Sequence, residues 1–285
     1  MHNSQKASLF GLIIILASCN LLDSERPVPF YLDLKNPSVN LPASNSLDTH
    51  KITDVWVFDR GQIIGIFPLP ALVPIEFSDS SSEITILAGI RDNGMNDQPV
   101  FYPFYKSLEK VIKASPNEII SIPLDFQYIS NAKIPINESF ETGNCFTIAF
   151  DGQPQSFLTI SDQFATIGNK SALISLTNNN LILETGCSNR IKNGENARGK
   201  SYLELDYRGQ GEIAVGVAKI SGNIIRIDYA LYIPAKETWN KIYVNLTDKL
   251  SASDYNEYNI VLSFRKTGLG DESKIYIDNI KHIHF

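Results

Sequence analysis

Apolar and polar residues alternate along almost every segment beyond residue 50, and no segment shows the 3.6-residue period of an amphipathic helix. Residues 241–246, KIYVNL, are typical. Ile242, Val244 and Leu246 share one face, and the residues between them share the other. This pattern favours β-sheet, with each strand buried on one face and solvated on the other. We therefore predict an all-β protein with almost no helix.

The strand pattern divides into two domains. Residues 48–130 contain five to seven short apolar segments with turn residues every eight to twelve positions, which is typical of an Ig-like β-sandwich. The pattern breaks near residues 128–137. Residues 138–285 contain eight or nine further segments rich in β-branched and aromatic residues, which predicts a β jelly roll. The chain has 285 residues, of which 43% are hydrophobic, and this is enough for two cores.

The N-terminus has the features of a secretory leader. Lys6 precedes an apolar run, Leu9–Leu16, that is much shorter than the roughly 20 residues of a membrane span. Residues 1–18 are therefore predicted to be a signal peptide. Residues 19–47 contain four prolines and little periodicity, which predicts a tether with one edge strand around Phe30–Leu34.

The end of this leader, Leu16-Ala17-Ser18-Cys19, resembles the lipobox of bacterial lipoproteins. The resemblance implies that cleavage makes Cys19 the first residue and that acyl chains, such as palmitate, anchor it in a lipid bilayer. It places the protein at the outer membrane of the bacterial envelope, on its periplasmic or surface-exposed face. An ordinary secretory leader that contains a cysteine, or a cytosolic N-terminal helix, are the alternatives.

Two further stretches resemble known groups of proteins. Residues 52–75, with AGIRDNGMND and YPFY, resemble the N-terminal domain of uncharacterised Bacteroidota lipoproteins, a likeness that implies no activity. Residues 138–285 resemble the jelly-roll modules of carbohydrate-binding and galactose-binding-like proteins. The FE of residues 140–141, WNKIYVNL and IYIDNI carry the second likeness.

The second resemblance implies a structural calcium ion. Many carbohydrate-binding jelly rolls hold Ca²⁺ between the acidic residue of the opening strand and the Asp of the last strand, positions occupied here by Glu141 and Asp278. The apolar alternation of the last strand also breaks after Ile277, which predicts a β-bulge at Asp278–Asn279. Carboxylate oxygens suit Ca²⁺, which takes six or more oxygen ligands. The alternative is a solvated Asp at the end of a strand.

The cysteines fit an exported protein. Acylation of Cys19 leaves Cys145 and Cys187, and an even number of cysteines in an oxidising compartment favours a disulfide. Two unrelated buried thiols are the alternative.

Composition and motifs argue against several functions. The net charge of −6 becomes −7 when Lys6 leaves with the leader, so no basic surface for nucleic acid is expected. Residues 194–201, GENARGKS, fit the phosphate-loop pattern, but a polar stretch precedes them and an alternating strand follows, where a P-loop needs a buried strand and a helix. We therefore expect no nucleotide.

Signatures of catalysis are absent from the sequence. It contains no His-Glu-x-x-His, Gly-x-Ser-x-Gly or Cys-x-x-Cys pattern. His282 and His284 could hold a metal from one side of a terminal strand, but no third ligand is apparent, and an exposed chain end is the favoured interpretation. We predict that the protein is not an enzyme.

Aromatic side chains are the remaining candidates for ligand contacts. Tyr229 and Tyr232 in IDYALYI are predicted to point to opposite faces of one strand, so that at least one reaches solvent and stacks on a sugar. Trp239 and Trp56 are interpreted as packing residues, and Tyr202, Tyr255 and Tyr258 as further candidates. The predicted function is weak glycan binding by the C-terminal domain. The alternative is a structural or assembly subunit with an envelope protein as its partner.

Overall fold

The computed structural model describes residues 28–40, 48–78, 81–95, 97, 99–152, 158–194, 199–251 and 254–285. These residues form twenty β-strands and one four-residue helix, α1 (Thr247–Leu250). The prediction of an all-β protein is confirmed. No helix in these ranges is long and apolar enough to cross a membrane. The predicted leader and Cys19 lie outside the described residues.

The first eight strands form an N-terminal β-sandwich. One sheet has the order β4-β1-β8, and the other has the order β3-β2-β5-β6 with β7 also paired to β5. Fully buried side chains such as Leu32, Val55 and Phe126 fill the space between the sheets. The strands are β1 (Phe30–Asn40), β2 (Asp54–Asp59), β3 (Gln62–Pro68), β4 (Ala71–Ile75), β5 (Ser82–Arg91), β6 (Pro99–Phe101), β7 (Leu108–Ile112) and β8 (Ile119–Gln127). Membership of the Ig-like group stays a prediction.

Strand β1 corrects the predicted tether. It has eleven residues and lies in the centre of its sheet, antiparallel to β4 and parallel to β8. Alternate residues face the core, so Leu32 and Leu34 are fully buried. Prolines suggested an irregular tether, but Pro37 lies where the register shifts between Lys35 and Ser38, and a β-bulge is a place that tolerates proline within a strand.

The remaining strands form a C-terminal sandwich of two antiparallel sheets between which the chain alternates, as in a jelly roll. The front sheet has the order β10-β13-β19-β16-β17, with β14 also paired to β19, and the back sheet has the order β11-β12-β20-β15-β18, with β9 also paired to β20. The strands are β9 (Lys133–Glu138), β10 (Phe146–Ala149), β11 (Thr159–Ser161), β12 (Ser171–Thr177), β13 (Ile182–Cys187), β14 (Ile191–Lys192), β15 (Ser201–Gly209), β16 (Glu212–Ser221), β17 (Ile224–Pro234), β18 (Asn240–Asn245), β19 (Glu257–Arg265) and β20 (Glu272–His284). Because β9 pairs with β20, this sandwich begins at Lys133, five residues before the predicted boundary at 138.

The N-terminal sandwich covers the outer face of the back sheet. Tyr202, Tyr243 and Ile283, from β15, β18 and β20, belong to the N-terminal core and not to the C-terminal one. The main chain also crosses the boundary, since Asn93 N donates a hydrogen bond to Tyr243 O at 3.0 Å. The expectation that these strands are solvated on their polar face is therefore wrong, because that face meets a second domain.

Two buried ion pairs lie in this interface, and the buried Asp206 lies near one of them, opposite Lys241 on the neighbouring strand. Glu204 Oε2 lies 3.2 Å from Lys241 Nζ, and Asp48 Oδ1 lies 2.8 Å from Lys281 Nζ. Tyr102 donates a hydrogen bond to Glu204 at 2.7 Å, and Tyr128 donates to both carboxylates. Paired charges with satisfied hydrogen bonds are what a buried polar cluster requires.

The end of the chain is also buried, which corrects the expectation of an exposed terminal strand. His282 and His284 lie on β20, in the middle of the back sheet, and both are buried. His282 Nδ1 lies 3.1 Å from Tyr202 O, and Nε2 lies 2.7 Å from Tyr258 Oη. Since a carbonyl only accepts, Nδ1 carries the hydrogen and Nε2 accepts from the tyrosine. Burial is the main cause that lowers the pKa of His282 to about 3, so the ring is neutral.

Candidate functional site

The outward surface of the front sheet, called here the front face, carries a row of aromatic rings. Leu183, Val215 and Leu262 point into the core, so the residues that alternate with them point outward. Two cross-strand rows of outward residues follow from the strand register. They are Glu184, Ser263, Ala214 and Tyr232, and Gly186, Val261, Gly216 and Tyr229.

Two glycines of the second row allow close approaches by other groups. A Cβ atom on Gly186 would collide with the Phe150 ring, and a Cβ atom on Gly216 would lie 2.7 Å from the main-chain oxygen of Asp228 and 2.9 Å from Cδ1 of Tyr229. Real Cβ atoms essentially never approach that closely. Gly186 therefore leaves room for the Phe150 ring, and Gly216 leaves room for the main chain of β17 and the near edge of Tyr229.

A β-bulge brings Tyr229 and Tyr232 to the same face. Val215 pairs with Leu231, but its neighbour Gly216 pairs with Tyr229, which leaves Ala230 as an extra residue in β17. This shifts the alternation by one position. The prediction that the two rings point to opposite faces is therefore wrong. Their centroids are 5.7 Å apart, and Tyr232 is 54% exposed.

Carboxylates lie beside the rings. The Tyr229 hydroxyl donates a hydrogen bond to Glu184 Oε1, and the Glu184 main-chain N–H donates to Asp151 Oδ2 at 3.2 Å. Burial, followed by the Glu184 carboxylate, raises the pKa of Tyr229 above its ordinary value, so its hydroxyl stays protonated. Arg265 lies in the next row, at the border of the front face, and its Nη1 lies 3.8 Å from Glu212 Oε1. The centre of the site thus combines rings with hydrogen-bond acceptors.

The disulfide fixes one border of this site. Cys145 and Cys187 are bonded, with Cα atoms 4.7 Å apart, which confirms the prediction. The bond joins the start of β10, an outer strand of the front sheet, to the end of β13. Phe150 follows β10 directly, so the crosslink restrains the strand that carries this ring.

The two predicted calcium ligands, Glu141 and Asp278, bind opposite ends of the loop that runs from Thr166 to Lys170. Glu141 Oε1 accepts hydrogen bonds from the N–H groups of Asn169 and Lys170, each at 2.8 Å. Asp278 Oδ2 accepts from the N–H and the hydroxyl of Thr166, each at 3.0 Å. Oε2 of Glu141 accepts no hydrogen bond in the described ranges, and Oδ1 of Asp278 accepts one, from Asn279 N. Both side chains therefore keep lone pairs for a metal.

The surroundings of Asp278 bear on such an ion. The predicted bulge is present, since the register of β15 and β20 shifts beside Asp278 and Asn279 has a positive φ of 46°. Burial is the main cause that raises the pKa of Asp278, and the nearby Asp206 also raises it. A cation would relieve this repulsion. Three or more His, Cys, Asp or Glu side chains converge nowhere in the described part of the chain, so main-chain carbonyls or water would have to complete the ligand shell.

The other sequence candidates do not join the front face. Tyr202, Tyr255 and Tyr258 are buried, and Trp239 lies near the domain boundary beside Asp206 and Lys241. The phosphate-loop pattern is followed by strand β15 and not by a helix. Phe150 and Glu184 were missed by the sequence analysis. Isolated glycines within the strand patterns LETGC and AVGVA are the signal that could have indicated them, because such glycines mark a close approach of other groups.

No protein-family model matches the chain, and no curated protein matches it either. Its fold is similar to a xylan-binding domain from carbohydrate-binding family 22, with 12% identity, a TM-score of 0.36, and coverage of 52% of this chain and 92% of that one. It is also similar to a family 11 carbohydrate-binding module from Clostridium thermocellum in complex with a mixed-linked tetrasaccharide. This module is 15% identical, with a TM-score of 0.36 and coverage of 54% of this chain and 95% of that one. A structure described as carbohydrate-binding modules from the β-sandwich superfamily is 11% identical, with a TM-score of 0.37 and coverage of 91% of this chain and 99% of that one. These values are too low to assign a family, a ligand or an ion to this protein.

Proposed function

We propose that this protein is a non-catalytic glycan-binding protein and that the front face is its binding site. The observation that carries the proposal is the group of aromatic side chains itself: Phe150 lies over Gly186, Tyr229 lies beside Gly216, and Tyr232 stands next to Tyr229, exposed to solvent. A sugar ring stacks its apolar C–H face on such a surface, while its hydroxyls need hydrogen-bond partners. Glu184 and Asp151 supply acceptors next to the rings.

The charges on the front face favour a neutral glycan. Glu184 and Asp151 lie beside the rings, whereas the cations Arg265, next to Glu212, and Lys192, in the row of Glu257, lie toward the two ends of this face. A uronic acid or a sulfated sugar would bring its negative charge close to these carboxylates, which is unfavourable. We expect neutral chains to bind with affinities of about micromolar to millimolar per site. Many copies on one membrane would raise the avidity.

The anchor and the calcium ion belong to the same proposal. The lipobox-like sequence before Cys19 supports acylation of Cys19 and attachment to the outer membrane of a bacterial envelope. Because Glu141 and Asp278 hold the two ends of one loop and keep lone pairs, they would hold Ca²⁺ as a structural ion. Replacing Cys19 by Ala should leave the precursor without acyl chains and move the protein out of the detergent phase. Full partition into detergent by this variant would contradict the anchor.

Affinity electrophoresis tests the binding site. Native gels that contain neutral polysaccharides, such as xylan, mixed-linkage β-glucan and galactan, should retard the wild type, and gels that contain polygalacturonate should not. Tyr232→Ala should abolish the retardation. Phe101→Ala is a matched control, because Phe101 is 50% exposed on the N-terminal sandwich. Wild-type migration unchanged by every neutral glycan would contradict the proposal.

The Phe101→Ala variant also tests a second candidate function, that of an assembly subunit that binds an envelope protein. Trp56, Ile66 and Phe101 share the outer face of one N-terminal sheet, and the rings of Trp56 and Phe101 meet edge to face at 5.9 Å. An exposed apolar patch of this kind suits a protein partner. If an envelope protein co-purifies with the wild type and is lost with Phe101→Ala, while no glycan binds, this function replaces glycan binding.

A further inference from the structure

One end of the N-terminal sandwich lies far from the C-terminal domain, and we call it the distal end. Three parts of the chain meet there, namely the Arg60–Gly61 turn, residues 76–78 with 81, and the turn 113–118. Arg60 joins two of them, since its Nη2 donates to Ser78 Oγ at 2.9 Å. The opposite end carries Tyr102 and Asn93, which contact β15 and β18.

Exposed aliphatic side chains gather at the distal end. Ile63 follows the Arg60–Gly61 turn, Val111 pairs with Glu83 near the start of β5, and Ile119 begins β8. These three side chains are 54%, 75% and 61% exposed. Single exposed apolar residues are ordinary, but here Ile63 and Val111, on the outer face of one sheet, and Ile119, on the outer face of the other, lie at the same end of the domain. Lys110 and Lys113 lie beside them and are exposed, as are the carboxylates Glu83, Glu109 and Glu118.

The path of the chain indicates what that partner is. The described chain begins at Val28, whose side chain is 46% exposed, and the N–H of Asn117 in the distal turn donates to Pro29 O at 2.8 Å. The chain thus enters the fold at the distal end. Nine steps separate Val28 from Cys19 (28 − 19), and nine residues span at most about 32 Å even when fully extended. If Cys19 is acylated, a lipid bilayer lies within that distance of Val28, at the distal end.

We propose that the distal end docks on the lipid surface. The proposal rests on the anchor described under the proposed function and adds an orientation to it. Ile63, Val111 and Ile119 enter the headgroup region. The eleven-residue strand β1 makes the N-terminal sandwich a spacer of about 35 Å. The front face, on the far side of the C-terminal sandwich, is then directed away from the membrane, toward soluble or wall-bound glycan.

Fluorescent labels at chosen positions test this orientation. Full-length acylated protein would be reconstituted on vesicles of phosphatidylethanolamine and phosphatidylglycerol. Cys145 and Cys187 are bonded to each other, and acylation blocks Cys19, so one introduced cysteine is the single free thiol. Val111→Cys and Ile119→Cys would carry a polarity-sensitive dye, with Ile224→Cys as control because Ile224 is 72% exposed on the C-terminal domain. We expect emission to shift to shorter wavelength at positions 111 and 119, and no shift at position 224.

The outcomes separate the anchor from the docking. Protein that does not float with the vesicles contradicts the anchor and removes the basis for docking, while glycan binding in electrophoresis is unaffected. Protein that floats but shows unchanged emission at positions 111 and 119 overturns the docking alone. An Ile63→Cys label should also shift, and Val111→Glu with Ile119→Glu should abolish that shift. Persistence of the shift in this double variant would contradict docking through the aliphatic side chains.

Discussion

Replacing Glu204 by Gln should unfold the protein at a much lower denaturant concentration. The Glu204 side chain is fully buried, its carboxylate lies 3.2 Å from Lys241 Nζ, and it accepts hydrogen bonds from Tyr102 and Tyr128. Glutamine keeps the shape but removes the charge, so the buried Lys241 ammonium loses its ion-pair partner and keeps the hydroxyl of Thr49, at 3.1 Å, and the more distant charge of Asp206. Breaking a buried ion pair from one side costs about 3–5 kcal/mol.

The control is an ion pair on the protein surface with the same distance between nitrogen and oxygen. Lys274 Nζ also lies 3.2 Å from its partner, Glu272 Oε2, but both side chains are about half exposed. Glu272→Gln should therefore cost at most about 1 kcal/mol. Glu272→Gln therefore gives the cost of losing an exposed ion pair, and the excess for Glu204→Gln measures what burial and the surrounding hydrogen bonds add.

The working pH does not mask the effect. Burial alone would lower the pKa of Lys241, but Glu204 and then Asp206 outweigh it, and the pKa is held above its ordinary value. A lysine whose pKa rises on folding stabilises the protein fully below its unfolded pKa of about 10.4, and loses this contribution only as pH rises through the folded pKa. At pH 7 the contribution is complete.

Equilibrium unfolding in urea measures both variants. The chain contains two tryptophans, Trp56 in the N-terminal sandwich and Trp239 in the C-terminal one, so their fluorescence reports both domains. Because the domains share a buried interface, we expect one transition for the wild type and a midpoint that falls strongly for Glu204→Gln. A loss for Glu204→Gln no larger than that for Glu272→Gln would refute the argument from buried charge.

Three further predictions concern the crosslink, the metal and acid stability. Cys145→Ser with Cys187→Ser opens a loop of 42 residues and should cost about 4 kcal/mol in the chain-entropy model, measured by urea unfolding; an unchanged midpoint would contradict it. Chelation with EDTA should lower the melting temperature by about 5 °C if Ca²⁺ is bound at about 100 times its Kd, and Asp278→Ala should remove this sensitivity; equal melting with and without chelator would argue against the ion. His282 has its pKa lowered to about 3, mainly by burial, so the unfolded state binds more protons below about pH 6.5 and stability should fall by about 2 kcal/mol from pH 6.5 to 4.5. His282→Gln should remove most of this loss in urea titrations at the two pH values, and an equal loss in both proteins would show that other groups cause it.

The sequence could predict strands but not what their polar faces meet. Alternation in residues 202–207 and 241–246 correctly indicates which side chains enter the C-terminal core, such as Leu203 and Val244. Glu204 and Lys241 look like solvated residues in that pattern, because a charge that is paired across a domain boundary has the same local signature as a charge in water. Only the docking of two domains decides between these cases.

A single extra residue explains the error at the candidate site. Counting by two along IDYALYI places Tyr229 and Tyr232 on opposite faces, and the bulge at Ala230 reverses that result. Bulges depend on the partner strand, so they leave a clear trace in the sequence only where several apolar residues flank them, as at Asp278–Asn279. Phe150 continues the spacing of Phe146 and Ile148, but a register shift between those two residues turns it to the outward face, over Gly186 of the neighbouring strand.

Isothermal titration calorimetry with a soluble neutral oligosaccharide tests the central claim most directly. The ligand would be a fragment of whichever polysaccharide retards the wild type, titrated into the wild type, Tyr232→Ala and Phe101→Ala. Tyr232 and Phe101 are 54% and 50% exposed, so the two variants remove similar aromatic surface from different faces. We predict a Kd of about micromolar to millimolar for the wild type, the same value for Phe101→Ala, and no measurable heat for Tyr232→Ala. Equal binding by wild type and Tyr232→Ala, with loss in Phe101→Ala, would contradict the assignment of the front face as the glycan site.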